Sequence, residues 1–289
     1  MTSRVLVLGG TGRLGSLLVP GLSASGTEVR VLTRDRQRAR HLAGCGVEIV
    51  TGDVRSPASL AAAVAGVDLV ISAMHGFEGT GGDSPATVDR DGNINVIDAA
   101  AAHGADLVLV SVVGASATSP FELFRMKHDA ETYLAASGVP STVVRATAFL
   151  ELWSDLLRQT AGRTGRPIVF GRGQNPINFV SVAAVAALIQ RVVYDESTRG
   201  QILEIGGPAD LTMTELAQSV AAGLEPHGGP RRVPRAMLHV IAATAGKVKP
   251  KLGRHVRAAL AMDTADLRFN PDHASARFTD LPGAILAKP

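Results

Sequence analysis

The sequence predicts an α/β fold built on a doubly wound parallel sheet, and three observations support this prediction. The first half of the 289-residue chain alternates short β-branched runs with longer alanine-rich stretches. The β-branched runs are continuously apolar, as is typical of strands buried on both faces of a parallel sheet. An apolar content of 46% with 19% charged residues indicates a globular chain that buries a large core. The ligand crevice of such a fold lies beyond the carboxyl ends of the strands.

The elements of the first half follow from this alternation. Strands are predicted at 4–9, 28–33, 47–52, 68–73, 106–113 and 140–146. Helices are predicted near 13–24, 36–43, 56–65, 86–103 and 120–137. Because strands and helices follow one another in turn, the helices are expected to cover both faces of the sheet.

After residue 150 the alternation loosens into a stretch rich in Gly, Arg and Pro. Further elements are predicted as a helix at 182–194, a strand at 201–207, a helix at 211–224 capped by Thr212 or Thr214, and helices at 234–245 and 253–265. We therefore expect a core over residues 1–150. Residues 151–289 are expected to complete the sheet and form a small C-terminal lid within one structural unit.

Charge and cysteine content limit the classes of partner. The net charge is only +3, from 29 basic and 26 acidic residues, although basic runs occur at 34–41 and 247–257. With 4% aromatic residues, nucleic-acid binding is not expected. The single Cys45 excludes an intramolecular disulfide and fits a reducing compartment. No signal peptide or long apolar run is evident, so a cytoplasmic monomer or homodimer without a membrane partner is expected.

The stretch VLVLGGTGRLG, residues 5–15, carries the first functional signal. Gly9, Gly12 and Gly15 follow a buried strand and open a helix. Glycines let the backbone approach a pyrophosphate, and a helix N-terminus presents unpaired N–H groups. The stretch therefore predicts a Rossmann-type dinucleotide site that also includes Thr11, Arg13 and Leu14, with a purely structural tight turn as the alternative.

The end of the second strand favours NADP(H) over NAD(H). An NAD site places an acidic residue there for the ribose hydroxyls, whereas this chain has Thr33 and Arg34. The Arg34 guanidinium can bind a 2′-phosphate, with Arg13 closing from the other side. The alternatives are that both arginines are solvated, or that Asp35 binds the ribose.

The next two strand ends supply further candidates. Asp53 and Val54 follow the third strand, where Asp53 can meet the adenine edge or cap the following helix. The fourth strand ends in small residues with accessible backbone, so Ala73 and Met74 are expected to line the cofactor. His75 beside them is a candidate for substrate contact, or a loop histidine without a role.

Several motifs together resemble the atypical short-chain dehydrogenase/reductases, in the NmrA-like and isoflavone-reductase-like branch. They are GGTGRLG (9–15), GDV (52–54), NVIDAAAAHGADLVLVSVVGA (95–115), Lys127 to Glu131, and SGVPSTVVRATAFLE (137–151). In the wider superfamily a Tyr four residues before a Lys acts as general acid or base. Here Leu123 holds the Tyr position and Lys127 the Lys position, and no Tyr-x-x-x-Lys is present.

The resemblance implies roles for residues at the end of the fifth strand, on the helix after it and beyond the sixth strand. Lys127 is expected to hold the nicotinamide ribose or donate a proton, and to pair with Glu131 one helical turn on; the alternative is an ordinary surface pair. Ser111 is expected to donate a hydrogen bond to the substrate oxygen, or to be a buried strand residue. Thr147 and Phe149 are expected at the cofactor, and Phe149 and Trp153 at the substrate or in packing.

The function implied is an NADPH-dependent oxidoreductase that reduces a small, largely apolar carbonyl, enone or quinone. A quinone requires the least from the protein, because its reduced form is a stabilised phenolate that water protonates. Two alternatives stay open because the Tyr is absent. One is a non-catalytic NADP(H)-sensing regulator, and the other is a redox-neutral isomerase, dehydratase or cyclase on the same fold.

Overall fold

The computed structural model describes residues 4–77, 79, 82–225, 229–244 and 250–270. Within these ranges the chain forms two compact units. The first contains residues 4–146 and 182–205, and the second contains residues 147–181 and 206–270. The expected division at residue 150 into a core and a substrate lid stays a prediction.

The described residues form twelve strands and nine α-helices. The strands are β1 Arg4–Leu8, β2 Glu28–Thr33, β3 Glu48–Thr51, β4 Leu69–Ser72, β5 Asp106–Val112, β6 Ser141–Ala146, β7 Ala148–Phe149, β8 Ile168–Phe170, β9 Pro176–Val180, β10 Ile202–Ile205, β11 Asp210–Thr212 and β12 Arg231–Val233. The helices are α1 Arg13–Ala24, α2 Pro57–Val64, α3 Asp91–His103, α4 Glu122–Ser137, α5 Leu150–Ala161, α6 Val182–Tyr194, α7 Met213–Ala222, α8 Arg235–Ala243 and α9 Pro250–Met262.

The first unit is organised by a seven-stranded sheet in the order β10-β6-β5-β4-β1-β2-β3. Every pairing in it is parallel. The predicted doubly wound α/β fold is therefore confirmed. The strand order reverses between β1 and β4, which is the switch point where ligands bind in such sheets.

The core of the first unit lies where α2, α3 and α4 cover the sheet. Fully buried side chains from the strands meet fully buried side chains from these helices, among them Leu6, Leu109, Leu60, Ile97 and Ala130. Val5 and Val7 of β1, which point to the opposite face from Leu6, are also fully buried, so both faces of the sheet are covered and the strands are continuously apolar.

Two predicted helices take tighter or wider forms. Residues Arg36–Cys45 form a 3-10 helix, whose start is capped by the Asp35 carboxylate accepting from Gln37 N at 2.8 Å. The helix expected over 86–103 is divided into a π-helical turn, Pro85–Arg90, and α3. Such π-turns are rare and often occur at functional sites.

The described residues of the second unit form two small sheets. Strand β9 pairs with β7 and with β11, and β8 pairs with β12. Thr212 caps α7 in a capping box with Glu215, which decides between the two expected caps. Helix α5 was not predicted, because its first residues continue the apolar run of β6 and β7. Residue 245 of the predicted helix 234–245 and Lys247 to Lys249 of the basic run lie outside the described residues.

No helix of the described chain is both long and apolar enough to cross a bilayer.

A buried aspartate just after α9 connects distant segments of the second unit. The Asp263 side chain is 1% exposed and pairs with Arg172 and Arg235. It also accepts from the backbone N–H groups of Arg172 and Gly173, both at 3.0 Å. Burial by itself raises the pKa of Asp263, but these hydrogen bonds outweigh it and hold the pKa below its ordinary value.

Replacing this buried carboxylate is expected to destabilise the protein in a pH-dependent way. Asp263→Asn should lower the free energy of unfolding by about 2–3 kcal/mol at pH 7, because charge-assisted hydrogen bonds are lost. The folded-state pKa is lowered, so the contribution is complete above the unfolded pKa of about 3.9 and disappears as the pH falls through the folded value. Urea unfolding of wild type and variant between pH 7 and pH 3 measures the difference.

The matched control is Asp266→Asn, since Asp266 also pairs with an arginine, Arg268, but is 67% exposed. It should change stability much less, because exposed ion pairs contribute little. Equal effects of the two variants, or a deficit in Asp263→Asn that does not shrink on acidification, would contradict this account.

Candidate functional site

The glycine loop after β1 is packed tightly at the positions of its glycines. A Cβ on Gly15 would lie 2.4 Å from Gly10 Cα, and one on Gly12 would lie 3.2 Å from Gly9 O. Gly9 has φ +81°, a conformation that favours glycine. Gly9 and Gly15 are therefore required by the tightness of the loop, whereas a Cβ on Gly12 would need its neighbour to shift slightly.

The loop also lies directly against the end of β4. A Cβ on Gly9 would be 2.4 Å from the carbonyl oxygen of Ala73 and 3.2 Å from the backbone nitrogen of Met74. Ala73 N donates to Leu8 O at 3.0 Å. The structure thus brings the predicted residues Gly9, Ala73 and Met74 together at the switch point of the sheet.

Helix α1 starts in this loop without a side-chain cap. Gly12 occupies the N-cap position in an extended conformation and has no side-chain oxygen to offer. Leu14 is buried, so its backbone is the part that can meet a ligand, whereas Arg13 is exposed and Thr11 half-buried. A glycine-walled, uncapped helix N-terminus fits a pyrophosphate, because the first-turn N–H groups and the helix dipole attract an anion.

Arg34 follows β2, as predicted, and pairs with a residue that the sequence did not single out. Its Nη1 lies 2.8 Å from Oδ2 of Asp83, and Arg55 Nη1 lies 3.3 Å from Oδ1 of the same carboxylate. Asp83 is buried while both guanidinium groups are partly exposed. Arg34 is therefore exposed but not simply solvated, because the buried Asp83 carboxylate binds its Nη1, and its contact with a 2′-phosphate stays a prediction.

Asp53 does not cap the following helix. The N-cap of α2 is Ser56, whose Oγ accepts from Ser59 N at 3.4 Å. The Asp53 carboxylate instead accepts from three donor groups of Arg55, its backbone N–H, Nε and Nη2. The bond from the Arg55 side chain holds the pKa of Asp53 below its ordinary value, and burial opposes this effect. Contact of Asp53 with the adenine stays a prediction.

Lys127 lies inside the first unit and does not pair with Glu131. Its side chain is 4% exposed, so the alternative of a surface pair is also wrong. Its Nζ donates to Met74 O and to Val110 O, each at 3.0 Å. It also lies 3.1 Å from Oδ1 of Asp89, an ion-pair distance without hydrogen-bond geometry. Two of the three ammonium protons are therefore used in hydrogen bonds to backbone carbonyls, and Asp89 balances the charge.

Glu131 has its own partner across the sheet. Its carboxylate accepts from Arg145 Nε at 3.2 Å and from Arg145 Nη2 at 2.6 Å. Arg145 also pairs with Glu204 at 3.2 Å, which joins α4, β6 and β10. The hydrogen bond to Glu131 raises the pKa of Arg145, and burial opposes it. The i,i+4 rule failed because the shared helix face is buried, where each charge meets a partner from another element.

Asp89 and Asn93 are polar residues of this region that the sequence analysis missed. Asp89 Oδ2 accepts from Gly76 N at 2.8 Å, and Asn93 Nδ2 donates to Asp89 O at 2.7 Å. Ser72 Oγ donates to Asn93 Oδ1 at 2.6 Å. Together with Lys127 these residues form the buried polar network. The sequence does contain a pattern that could have identified them. Asp89 and Asn93 are four residues apart, so they share one face of a helical segment that also carries Val88, Val96 and Ile97.

Ser111 is a buried strand residue with an unused hydroxyl. It is 3% exposed on β5, and its Oγ has no hydrogen-bond partner in the described part of the chain. Buried hydroxyls are nearly always paired, so an unpaired one at a strand's carboxyl end is unusual. Ser111 is thus a buried strand residue, and its contact with a substrate oxygen stays a prediction.

The remaining predicted residues divide between the two units. In the first unit His75 is exposed, and Val54 and Met74 pack partly buried against the core. In the second unit Thr147 Oγ1 donates to Asn178 Oδ1 at 3.0 Å. Phe149 on β7 and Trp153 on α5 are half-buried. Their contacts with cofactor or substrate stay predictions.

Among the described residues no cluster of three or more His, Cys, Asp and Glu side chains is arranged to hold a metal ion.

Comparison with known proteins gives a consistent picture. A family model described as NAD(P)H-binding matches residues 9–196. The NAD(P)H azoreductase of Xenophilus azovorans is 26% identical over 223 residues, which cover 75% of this chain and 73% of the azoreductase. The photosystem II assembly factor Ycf39 of Synechocystis is 28% identical over 222 residues, covering 74% of this chain and 66% of that protein.

Solved structures show the same fold at lower identity. The NADPH-dependent quinone oxidoreductase QOR2 of Escherichia coli, complexed with NADPH, superposes with a TM-score of 0.75 at 21% identity. The match covers 95% of this chain and 94% of QOR2.

The unpaired hydroxyl of Ser111 predicts an unusual stability result. Ser111→Ala should leave the free energy of unfolding of the ligand-free protein unchanged or slightly raised, because no hydrogen bond is lost and a buried polar group is removed. The matched control is Ser72→Ala, also on a buried strand, which loses the bond to Asn93 and should cost about 1–3 kcal/mol. Urea unfolding measures both, and equal destabilisation would show that Ser111 has an internal partner.

Proposed function

Because the chain belongs to the NAD(P)H-binding family of atypical short-chain dehydrogenase/reductases, we propose that it is an NADPH-dependent reductase of a small, largely apolar carbonyl, enone or quinone. Within that range a quinone fits the site best. The observation that carries the proposal is the glycine loop, in which an uncapped helix N-terminus lies at the switch point of the sheet.

The arginines after β2 and β3 support NADPH as the nucleotide. Both contacts of Arg34 with Asp83 come from Nη1. The Nε–Nη2 edge of the guanidinium is therefore available for a second anion, in the bidentate geometry that a phosphate prefers. A 2′-phosphate placed there would share Arg34 with the Asp83 carboxylate, and Arg55 would offset part of the added negative charge.

The absence of a tyrosine at position 123 favours an acceptor that needs little help from a proton donor. A nucleotide held by the glycine loop would supply a hydride, and a quinone that accepted it would become a hydroquinone monoanion while NADPH became NADP⁺. The monoanion is a stabilised phenolate that takes its proton from water, so no side chain has to supply one. We expect the Ser111 hydroxyl, which has no hydrogen-bond partner among the described residues, to donate to the oxygen that gains charge.

A second candidate function is a nucleotide-sensing regulator without turnover. The observation that favours it is the engagement of Lys127, whose three contacts are all within the protein. The similarity to a photosystem assembly factor adds weight, since the name of that relative describes assembly rather than reduction.

Turnover separates the two functions. We expect the protein to bind NADPH and to oxidise it in the presence of small benzoquinones or naphthoquinones, measured as loss of absorbance of the reduced nicotinamide. Binding of NADPH without its oxidation by any quinone, enone or carbonyl of a broad panel would replace the reductase by the sensor. If neither NADPH nor NADH binds, both proposals fail.

Removing Arg34 should change nucleotide preference. Arg34→Ser is expected to raise the Kd for NADPH about 10- to 100-fold, the loss of a charge-assisted bond, while the Kd for NADH changes little. Arg38→Ser, which removes an exposed charge from the neighbouring 3-10 helix, is the matched control and should affect neither nucleotide. Isothermal titration calorimetry of the two variants with NADPH and with NADH gives the four Kd values. An equal loss of NADPH and NADH affinity in Arg34→Ser would exclude the 2′-phosphate contact.

A further inference from the structure

We infer that Asp89 and Lys127 act as a pair of positioning residues that hold the segment after β4 against the glycine loop, and that Lys127 is not a proton donor. This segment, residues 73–76, is called the β4 exit. The inference rests on the proposed function, because the β4 exit is the part of the first unit that meets the loop for the nucleotide. It assigns Lys127 a different task from the one that its sequence position implies.

The pair is buried on both sides. Asp89 is fully buried and Lys127 is 4% exposed, with 3.1 Å between Oδ1 and Nζ. Neither charge can be hydrated, so each depends on the other and on nearby backbone dipoles. Loss of one partner leaves the other as an isolated buried charge, which is far more costly than loss of an exposed pair. Movement of the Lys127 ammonium toward a ligand carries the same penalty.

The two residues bind the β4 exit at two points. Lys127 Nζ donates to the carbonyl of Met74, and the amide of Gly76 donates to Asp89 Oδ2. These points lie on either side of His75, so the backbone around that residue is fixed by one acceptor and one donor contact. Lys127 also binds Val110 O on β5, which ties the β4 exit to the strand that carries Ser111.

The position of the β4 exit determines the shape of the glycine loop. The space beside Gly9 is so narrow that a Cβ there would be 2.4 Å from Ala73 O. A shift of the β4 exit by about 1 Å would therefore open or close the wall on which the nucleotide must rest. The other two members of the buried polar network keep Asp89 in place, since Asn93 binds the Asp89 carbonyl and Ser72 binds Asn93.

The test separates affinity from turnover. Asp89→Asn and Lys127→Met should each raise the Kd for NADPH at least 10-fold. With a quinone and saturating NADPH, each should retain kcat within about 3-fold, because neither side chain takes part in proton transfer. The Kd of the double variant for NADPH should be no higher than that of the single variant with the higher Kd, since Asp89 and Lys127 act through one contact.

The competing role gives a different pattern. If Lys127 is a proton donor, Lys127→Met lowers kcat by roughly 100-fold or more at saturating NADPH, and Asp89→Asn leaves Kd unchanged. That result, or unchanged NADPH affinity in both variants, overturns the inference. Glu131→Gln is the matched control, because Glu131 is a buried acid on the same face of α4 as Lys127 but pairs with Arg145. This variant is expected to leave the Kd for NADPH unchanged.

A measurement on the wild-type protein covers the case in which the variants do not fold. Amine acylation followed by mass spectrometry should leave Lys127 unmodified in the native protein, with or without NADPH, and should modify it after unfolding in urea. Modification of native Lys127, whether or not NADPH blocks it, overturns the inference. Wild-type NADPH titration is a separate arm, and only its failure would count against the proposed function.

Discussion

The ion pair between Lys127 and Asp89 is the constraint on which the functional end of the first unit depends. A lysine and an aspartate that are both removed from water have no alternative to each other except backbone dipoles. The Lys127 ammonium uses two such dipoles, at Met74 and Val110, and thereby connects helix α4 to the ends of β4 and β5. The π-helical turn that carries Asp89 brings the carboxylate to the same point.

This arrangement divides the work at the switch point between two kinds of residue. The glycines allow the loop after β1 to pack directly against the backbone at the end of β4, because a Cβ on Gly9 would collide with the carbonyl oxygen of Ala73. The buried charges of Lys127 and Asp89 hold the backbone at Met74 and Gly76, and so determine which backbone groups line that contact. Neither alone makes a nucleotide site, since a glycine loop without a fixed opposing wall can adopt several widths. The Ser111 hydroxyl, which has no partner in the described part of the protein, is the group that we propose for contact with the substrate.

Much of this architecture could be predicted from the sequence, because it depends on local patterns. Continuous apolar runs marked the strands of the large sheet, and the glycine spacing marked the loop. The partner of Lys127 could not be predicted in this way. The helical period correctly places Lys127 and Glu131 on one face, but that face is buried, and partners there come from elements distant in sequence. Asp89 is 38 residues before Lys127 in the sequence, and no spacing rule links them. Helix α5 was missed for the opposite reason, since an apolar run looks the same in a strand and at the start of a helix.

A crystal structure of the protein with NADPH tests the account most directly. We expect the pyrophosphate at the N-terminus of α1 over Gly9 to Gly15 and the 2′-phosphate on the Nε–Nη2 edge of Arg34. Lys127 Nζ is expected to remain about 3 Å from Met74 O and Val110 O. A complex in which Lys127 Nζ has left Met74 and Asp89 and binds the nicotinamide ribose would contradict it.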